Sequence, residues 1–123
     1  MDNIPKLLIT GISGFVGRNL LSNLSNYNIT GICRGSISDI KISNYYDINI
    51  KLINSYNVFI HLAGKAHDLK KNISENDFFS ANTSITIDLF DKFLQSDCKT
   101  FIYLSSIKAV CDNPSSIVRE SNK

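Results

Sequence analysis

Three glycines at three-residue spacing, Gly11, Gly14 and Gly17, separate an apolar run from an amphipathic one, and this arrangement limits the possible folds more than any other feature of the chain. Ahead of them, Lys6-Leu7-Leu8-Ile9-Thr10 is a brief buried-strand signal that Gly11 stops. From Gly14 onward the pattern becomes helical: Val16, Leu20 and Leu24 fall on one stripe, with Leu21 beside it. In a strand–turn–helix corner each glycine has a physical task. Gly11 lets the chain turn sharply, Gly14 removes a side chain where a ligand must approach the backbone, and Gly17 lets the helix pack closely on the strand it left. The free amides and positive dipole end of such a helix favour phosphate. Glycines alone could mark only a tight loop; the strand before them and the helix after them point to a dinucleotide diphosphate.

The rest of the chain continues the alternation. Tyr27 to Cys33 reads as a second strand ended by Arg34-Gly35-Ser36, Ser43 to Tyr46 as a short third, and Ile48 to Ser55 as a short helix. Asn57 to Leu62 reads as a strand closed by Ala63-Gly64, followed by a long helix from about Asn76 to Gln95 and a strand from Thr100 to Leu104. Strands and helices in this order form βαβ units, so the expected fold is α/β: a Rossmann-like, doubly wound parallel sheet that stops after about the fifth strand. The fully apolar Val58-Phe59-Ile60 and Phe101-Ile102 agree, because strands of a parallel sheet are buried on both faces. At 123 residues there is room for one domain, expected to span 1–123.

Composition excludes several alternatives. An apolar share of 43% with 20% charged residues suits a globular core rather than disorder. The net charge of +2 is spread without a block, which argues against a nucleic-acid or membrane-surface partner. No apolar run is long enough to span a bilayer, and the first residues lack the pattern of a signal peptide. Cys33, Cys98 and Cys111 are odd in number and contain no CxxC, so they read as thiols of a reducing cytoplasm rather than disulfides or metal ligands.

The segment Thr10-Gly11-Ile12-Ser13-Gly14-Phe15-Val16-Gly17 resembles the TGxxGFxG loop of the extended short-chain dehydrogenase/reductases, the NAD-dependent epimerase/dehydratase group acting on nucleotide sugars. Further likenesses follow in order. Asp47-Ile48 resembles the acidic-aliphatic pair that contacts adenine, and Ile60-His61-Leu62-Ala63-Gly64 resembles the HxAA/HxAG segment lining the cofactor. Phe79-Ser80-Ala81-Asn82-Thr83 resembles the motif whose asparagine braces the central strands, and Phe101 to Lys108 resembles FVYxSS, whose second serine is Ser106 here. The resemblance implies a cofactor site built from Gly11, Ser13, Gly14, Phe15, Val16, Gly17, Asp47, Ile48, Leu62, Ala63, Gly64 and Asn82, with Ser106 at the catalytic serine position. It implies a strand-end role, not a catalytic one, for His61.

Two features refine the expectation. After the second strand comes Arg34, with Lys41 nearby and no carboxylate before Asp39, a setting that favours the 2′-phosphate of NADP over the bare ribose diol of NAD. In the resembling family a tyrosine and a lysine of a YxxxK helix complete the chemistry; no such motif occurs here, so the chain reads as the amino-terminal part of an enzyme without its substrate lobe. Phe79, Ile87, Phe90 and Leu94 form one apolar stripe of the long helix, and Phe78, Ala81, Ile85 and Leu89 a second. Two such faces suggest cover from both sides. In the resembling family this helix joins the YxxxK helix in a dimer bundle, so the resemblance implies an exposed apolar patch here and association as a homodimer through helix 76–95. The functional expectation is the NAD(P)-binding part of a nucleotide-sugar epimerase, dehydratase or 4-ketoreductase. The wording of His61–His67 and Ser105–Ala109 resembles branches that act on bacterial surface-polysaccharide precursors. The alternatives are a dinucleotide-binding module without catalysis and an inert remnant.

Overall fold

A computed structural model describes residues 3–33, 42–43, 45–64, 80–105, 115, 117 and 119–121. The elements are β1 (Lys6–Thr10), α1 (Phe15–Asn23), β2 (Asn28–Ile32), β3 (Ile42–Ser43), a 3-10 turn (Tyr45–Asp47), α2 (Ile50–Ile53), β4 (Val58–His61), a π-helical turn (Ser80–Ser84), α3 (Ile85–Leu94) and β5 (Thr100–Tyr103). All strand pairs are parallel, and the sheet order is β3-β2-β1-β4-β5. The expected α/β architecture is therefore present. The third strand is shorter than expected and gives way to the 3-10 turn where a strand through Tyr46 was expected.

Central β1 shows why the sheet is covered on both sides. Leu7, Leu8, Ile9 and Thr10 are all buried, and alternate residues point to opposite faces. Leu8 joins Ile32, Ile48, Ile53, Phe59, Leu89 and Cys98 under α2 and α3. Leu7 and Ile9 join Ile12, Cys33 and Ile60 on the other face, with Leu21 of α1 and Leu24 just beyond its end packed against them. Each fully buried leucine or isoleucine contributes about 2 kcal/mol by leaving water.

The stripe that α1 buries is offset from the one its large residues suggest. Gly17 is buried while Val16 is exposed, so the inward line runs through Gly17, Leu21 and Leu24. The helix approaches so closely that the contact position must be the smallest residue, and hydrophobicity alone cannot mark it. In α3, Leu89 is buried and Ile85 and Phe93 pack on the core, whereas Ile87, Phe90 and Leu94 face outward. Phe101 of β5 meets Phe59 edge-on at 5.2 Å and Phe90 at 5.2 Å, joining strand and helix through rings. The Asp88–Lys92 ion pair on the exposed side of α3, at 2.7 Å, adds little by comparison. Among the described residues, no helix is long and apolar enough to cross a membrane.

Candidate functional site

The order β3-β2-β1-β4-β5 reverses direction at β1: the chain moves from β1 outward to β2 and β3, then returns to place β4 on the other side. The connections leaving β1 and β4 therefore lead to helices on opposite faces of the sheet, the arrangement in which open α/β sheets bind ligands in a crevice at the carboxyl ends of these strands. The glycine loop leaves β1 here. Gly11 has φ +71°, the left-handed region that favours glycine. A methyl group on it would lie 2.7 Å from the Ala63 amide nitrogen, so the loops after β1 and β4 touch backbone to backbone. The Gly11 amide donates to the Ile32 carbonyl at 2.9 Å, tying the loop to β2 as well. Ile12 is fully buried and anchors the turn from below.

The loop then climbs onto α1. A methyl group on Gly17 would lie 2.5 Å from the Ile12 carbonyl oxygen and 2.6 Å from that of Gly11, so the helix rests directly on the turn. Gly14 takes the cap position in extended conformation and supplies no side-chain bond. The first helical bond runs from the Arg18 amide to the Gly14 carbonyl at 3.0 Å. The amides of Phe15 and Val16 thus precede any carbonyl of their own helix. Gly14, Phe15 and Val16 are exposed, and Ser13 is half-buried. Open amides, a positive dipole end and a side-chain-free surface at Gly14 fit a diphosphate.

The other expected site residues fall into groups. Leu62 and Ala63 follow β4 half-buried, their amides donating to the Thr10 carbonyl at 3.2 Å and the Thr10 hydroxyl at 3.3 Å. Gly64 is exposed, and a methyl group there would lie 2.8 Å from Asn82 Oδ1, which brings the π-helical turn against the same loop. Asp47 is exposed in the 3-10 turn beyond β3. Ile48 turns its side chain into the core at 1% exposure, so any ligand contact from it comes from the main chain. Arg34 and Ser106 lie outside the described residues, as do Lys41 and Cys111.

Behind the crevice lies a polar group in which His61, named in the motifs only as a strand-end residue, meets Thr10 and Thr86, a contact the motifs do not show. His61 is fully buried. Its Nδ1 is 2.6 Å from the Thr10 hydroxyl and its Nε2 is 2.9 Å from the Thr86 hydroxyl, which in turn donates to the Asn82 carbonyl at 3.1 Å. Tyr103 stacks on the ring at 5.7 Å. Burial pushes the imidazole down from 6.5 to about 4, so it is neutral at physiological pH. Thr10 and Thr86 are ordinary strand and helix residues in the sequence; the signal available was a histidine and a threonine at the ends of adjacent buried strands. Among the described residues, no cluster of His, Cys, Asp or Glu could hold a metal ion.

Comparison with known proteins follows this geometry. The profile of the NAD dependent epimerase/dehydratase family matches residues 7–123. A UDP-glucose 4-epimerase of Vibrio cholerae is 31% identical over 121 residues, covering 85% of this chain and 36% of that protein. The solved structure of MoeE5 in complex with UDP-glucose and NAD is similar with a TM-score of 0.78 at 19% identity, covering 94% of this chain and 41% of the other. The UDP-N-acetylglucosamine 4-epimerase from Methanobrevibacter ruminantium M1, in complex with UDP-N-acetylmuramic acid, gives a TM-score of 0.78 at 21% identity, covering 98% and 44%. At these identities the two structures speak for the fold. The chain spans 36% to 44% of the length of these relatives.

Proposed function

Because this chain belongs to the NAD dependent epimerase/dehydratase family, we propose that it binds NAD or NADP across the carboxyl ends of β1 and β4, as the dinucleotide-binding part of a nucleotide-sugar epimerase, dehydratase or 4-ketoreductase. The observation that carries the reading is Gly11, held at φ +71° with its backbone against Ala63, which joins the two loops beneath the open head of α1. In this reading the amides of Phe15 and Val16 receive the diphosphate, Gly14 leaves it room, and Leu62, Ala63 and Gly64 form the wall opposite. Asn82 braces Gly64, and Asp47 with the Ile48 main chain faces the adenine end. The nicotinamide, when bound, supplies the hydride acceptor. Ser106 stands at the position that orients the substrate oxygen.

None of Tyr27, Tyr45, Tyr46, Tyr56 and Tyr103 has a lysine four residues later. Proton exchange with a sugar hydroxyl therefore needs a tyrosine and a lysine from outside these 123 residues, and the chain alone is expected to bind without turnover. The wording of His61–His67 and Ser105–Ala109 supports a role with surface-polysaccharide precursors. Arg34, directly after β2 and its flanking Cys33, supports a preference for NADP, since its planar fork suits a phosphate.

Titration calorimetry with NAD and NADP tests the proposal. Saturable binding of either, tighter for NADP, without conversion of UDP-glucose is the expected result. Absence of saturable binding to both overturns the cofactor role and leaves the inert alternative. A preference for NAD that persists in Arg34→Ala ends the NADP assignment alone.

A second copy of the chain is proposed to cover the outer face of α3, where Ile87, Phe90 and Leu94 are 55%, 41% and 63% exposed. Sedimentation is expected to show concentration-dependent association that weakens in Leu94→Lys. A single monomeric species at high concentration counts against it.

A further inference from the structure

We propose that Thr86 is a positioning residue of the dinucleotide site: through the His61 ring it holds the Thr10 hydroxyl, and with it the Ala63 amide, where the glycine loop meets the loop after β4. Only the affinity readout below rests on the dinucleotide reading of the crevice; the positioning itself stands on the hydrogen bonds.

Proton counting fixes the direction of every bond. The Thr86 hydroxyl has one hydrogen and gives it to the Asn82 carbonyl at 3.1 Å. Toward His61, at 2.9 Å, it can therefore only accept, so the hydrogen lies on Nε2. A neutral imidazole carries a single N–H, which leaves Nδ1 as an acceptor. The Thr10 hydroxyl, 2.6 Å away, must then donate to Nδ1, and its oxygen is left to accept from the Ala63 amide at 3.3 Å. The chain runs one way, from the Ala63 amide through Thr10, His61 and Thr86 to the carbonyl of Asn82. It links the end of β1, the end of β4 and the π-helical turn whose Asn82 side chain lies against Gly64.

Register places these groups where they matter. Thr10 pairs with His61 across β1 and β4, and the next residue of β1 is Gly11. A reversed ring would present a hydrogen to Thr10, so the Thr10 hydroxyl hydrogen would lose its acceptor on the ring and its oxygen would be shared between Nδ1 and the Ala63 amide, weakening the bond to Ala63. Tyr103, stacked at 5.7 Å, and Phe101, at 6.4 Å, restrict the ring but do not distinguish its nitrogens. That distinction falls to Thr86.

The test uses the full 123-residue chain, labelled with nitrogen-15. In the unmodified protein, long-range proton–nitrogen correlation is expected to show His61 with a bare Nδ1 and a protonated Nε2; the opposite tautomer overturns the proposal without any variant. Thr86→Val keeps the shape and removes the hydroxyl. It is expected to give mixed or reversed tautomers, faster exchange of the Ala63 amide, and a Kd for NAD raised about fivefold, equivalent to about 1 kcal/mol. Thr86→Ser is expected to restore all three. A Thr86→Val protein that loses stability yet keeps the tautomer, the Ala63 exchange rate and the Kd of the parent has lost only packing, and the proposal fails. Should the parent bind neither NAD nor NADP, the functional reading fails while the tautomer and exchange measurements still decide the role of Thr86.

Discussion

Gly11→Ala is expected to lower the free energy of unfolding by about 3–4 kcal/mol, while Gly14→Ala lowers it by less than about 1 kcal/mol. At Gly11 two costs add. The left-handed backbone, φ +71°, costs an L-residue about 1–2 kcal/mol. The new methyl group would also lie 2.7–2.8 Å from main-chain atoms of Leu62 and Ala63, which cannot rotate away as a side chain would. Relieving that contact forces the loops after β1 and β4 apart, at a typical overpacking cost of about 1–3 kcal/mol. At Gly14 the nearest atom is the Gly11 carbonyl oxygen at 3.3 Å, which a small adjustment accommodates. Urea unfolding of the two variants measures the difference. Similar midpoints for both would mean that the loops do not meet as described. Dinucleotide binding reverses the emphasis: Gly14→Ala is expected to fold and yet bind poorly, because its methyl group occupies the surface assigned to the diphosphate.

Acid is expected to remove about 3 kcal/mol of stability through His61 alone. Its imidazole has a folded value of about 4, lowered by burial, against 6.5 when unfolded. As pH falls through 6.5 the unfolded chain takes up the proton first, and folding must expel it. This contribution is thus complete above about pH 6.5, declines between 6.5 and about 4, and levels off once the folded form is protonated too. At about 1.36 kcal/mol per pH unit the interval amounts to about 3 kcal/mol. Carboxylates add their own slope at the acid end, so the relevant measurement is the difference between the parent and His61→Asn, whose unfolding free energy should change less over pH 6.5–4. Independently, the His61 ring in the folded protein should show no titration near 6.5. A native titration there would overturn the prediction.

The sequence carried the sheet and the corner more clearly than the groups behind them. Lys6–Thr10 forms the strand its apolar run predicts, and the glycines stand where strand turns to helix. Periodicity erred by one position on α1, because it weighs Val16 above Gly17 although the closest packing needs the residue without a side chain. It read 43–46 as strand, where Tyr45 to Asp47 tighten into a 3-10 turn and aim Ile48 into the core. The helix expected from about Asn76 to Gln95 runs without a break from Ser80 to Leu94, with 76–79 outside the described residues, but its first described turn, around Asn82, is π-helical. There the Thr86 hydroxyl bonds the Asn82 carbonyl and competes with the helical amide, an effect of one side chain that no apolar pattern registers. Thr10 and His61 meet only because the register sets two distant strands side by side.

β5 lies at one edge of the sheet among the described residues, and Ile102, Tyr103 and Leu104 around it are exposed. Handedness gives this edge a direction. Parallel crossovers are right-handed, and α3, which joins β4 to β5, lies on the face of Phe59 and Leu8. Any strand laid parallel outside β5 and continuing the same way must bring its connecting helix over that same face. Such a helix would arrive alongside α3, beside Phe90 and Leu94, so enlarging the sheet and sheltering those side chains would be a single geometric event.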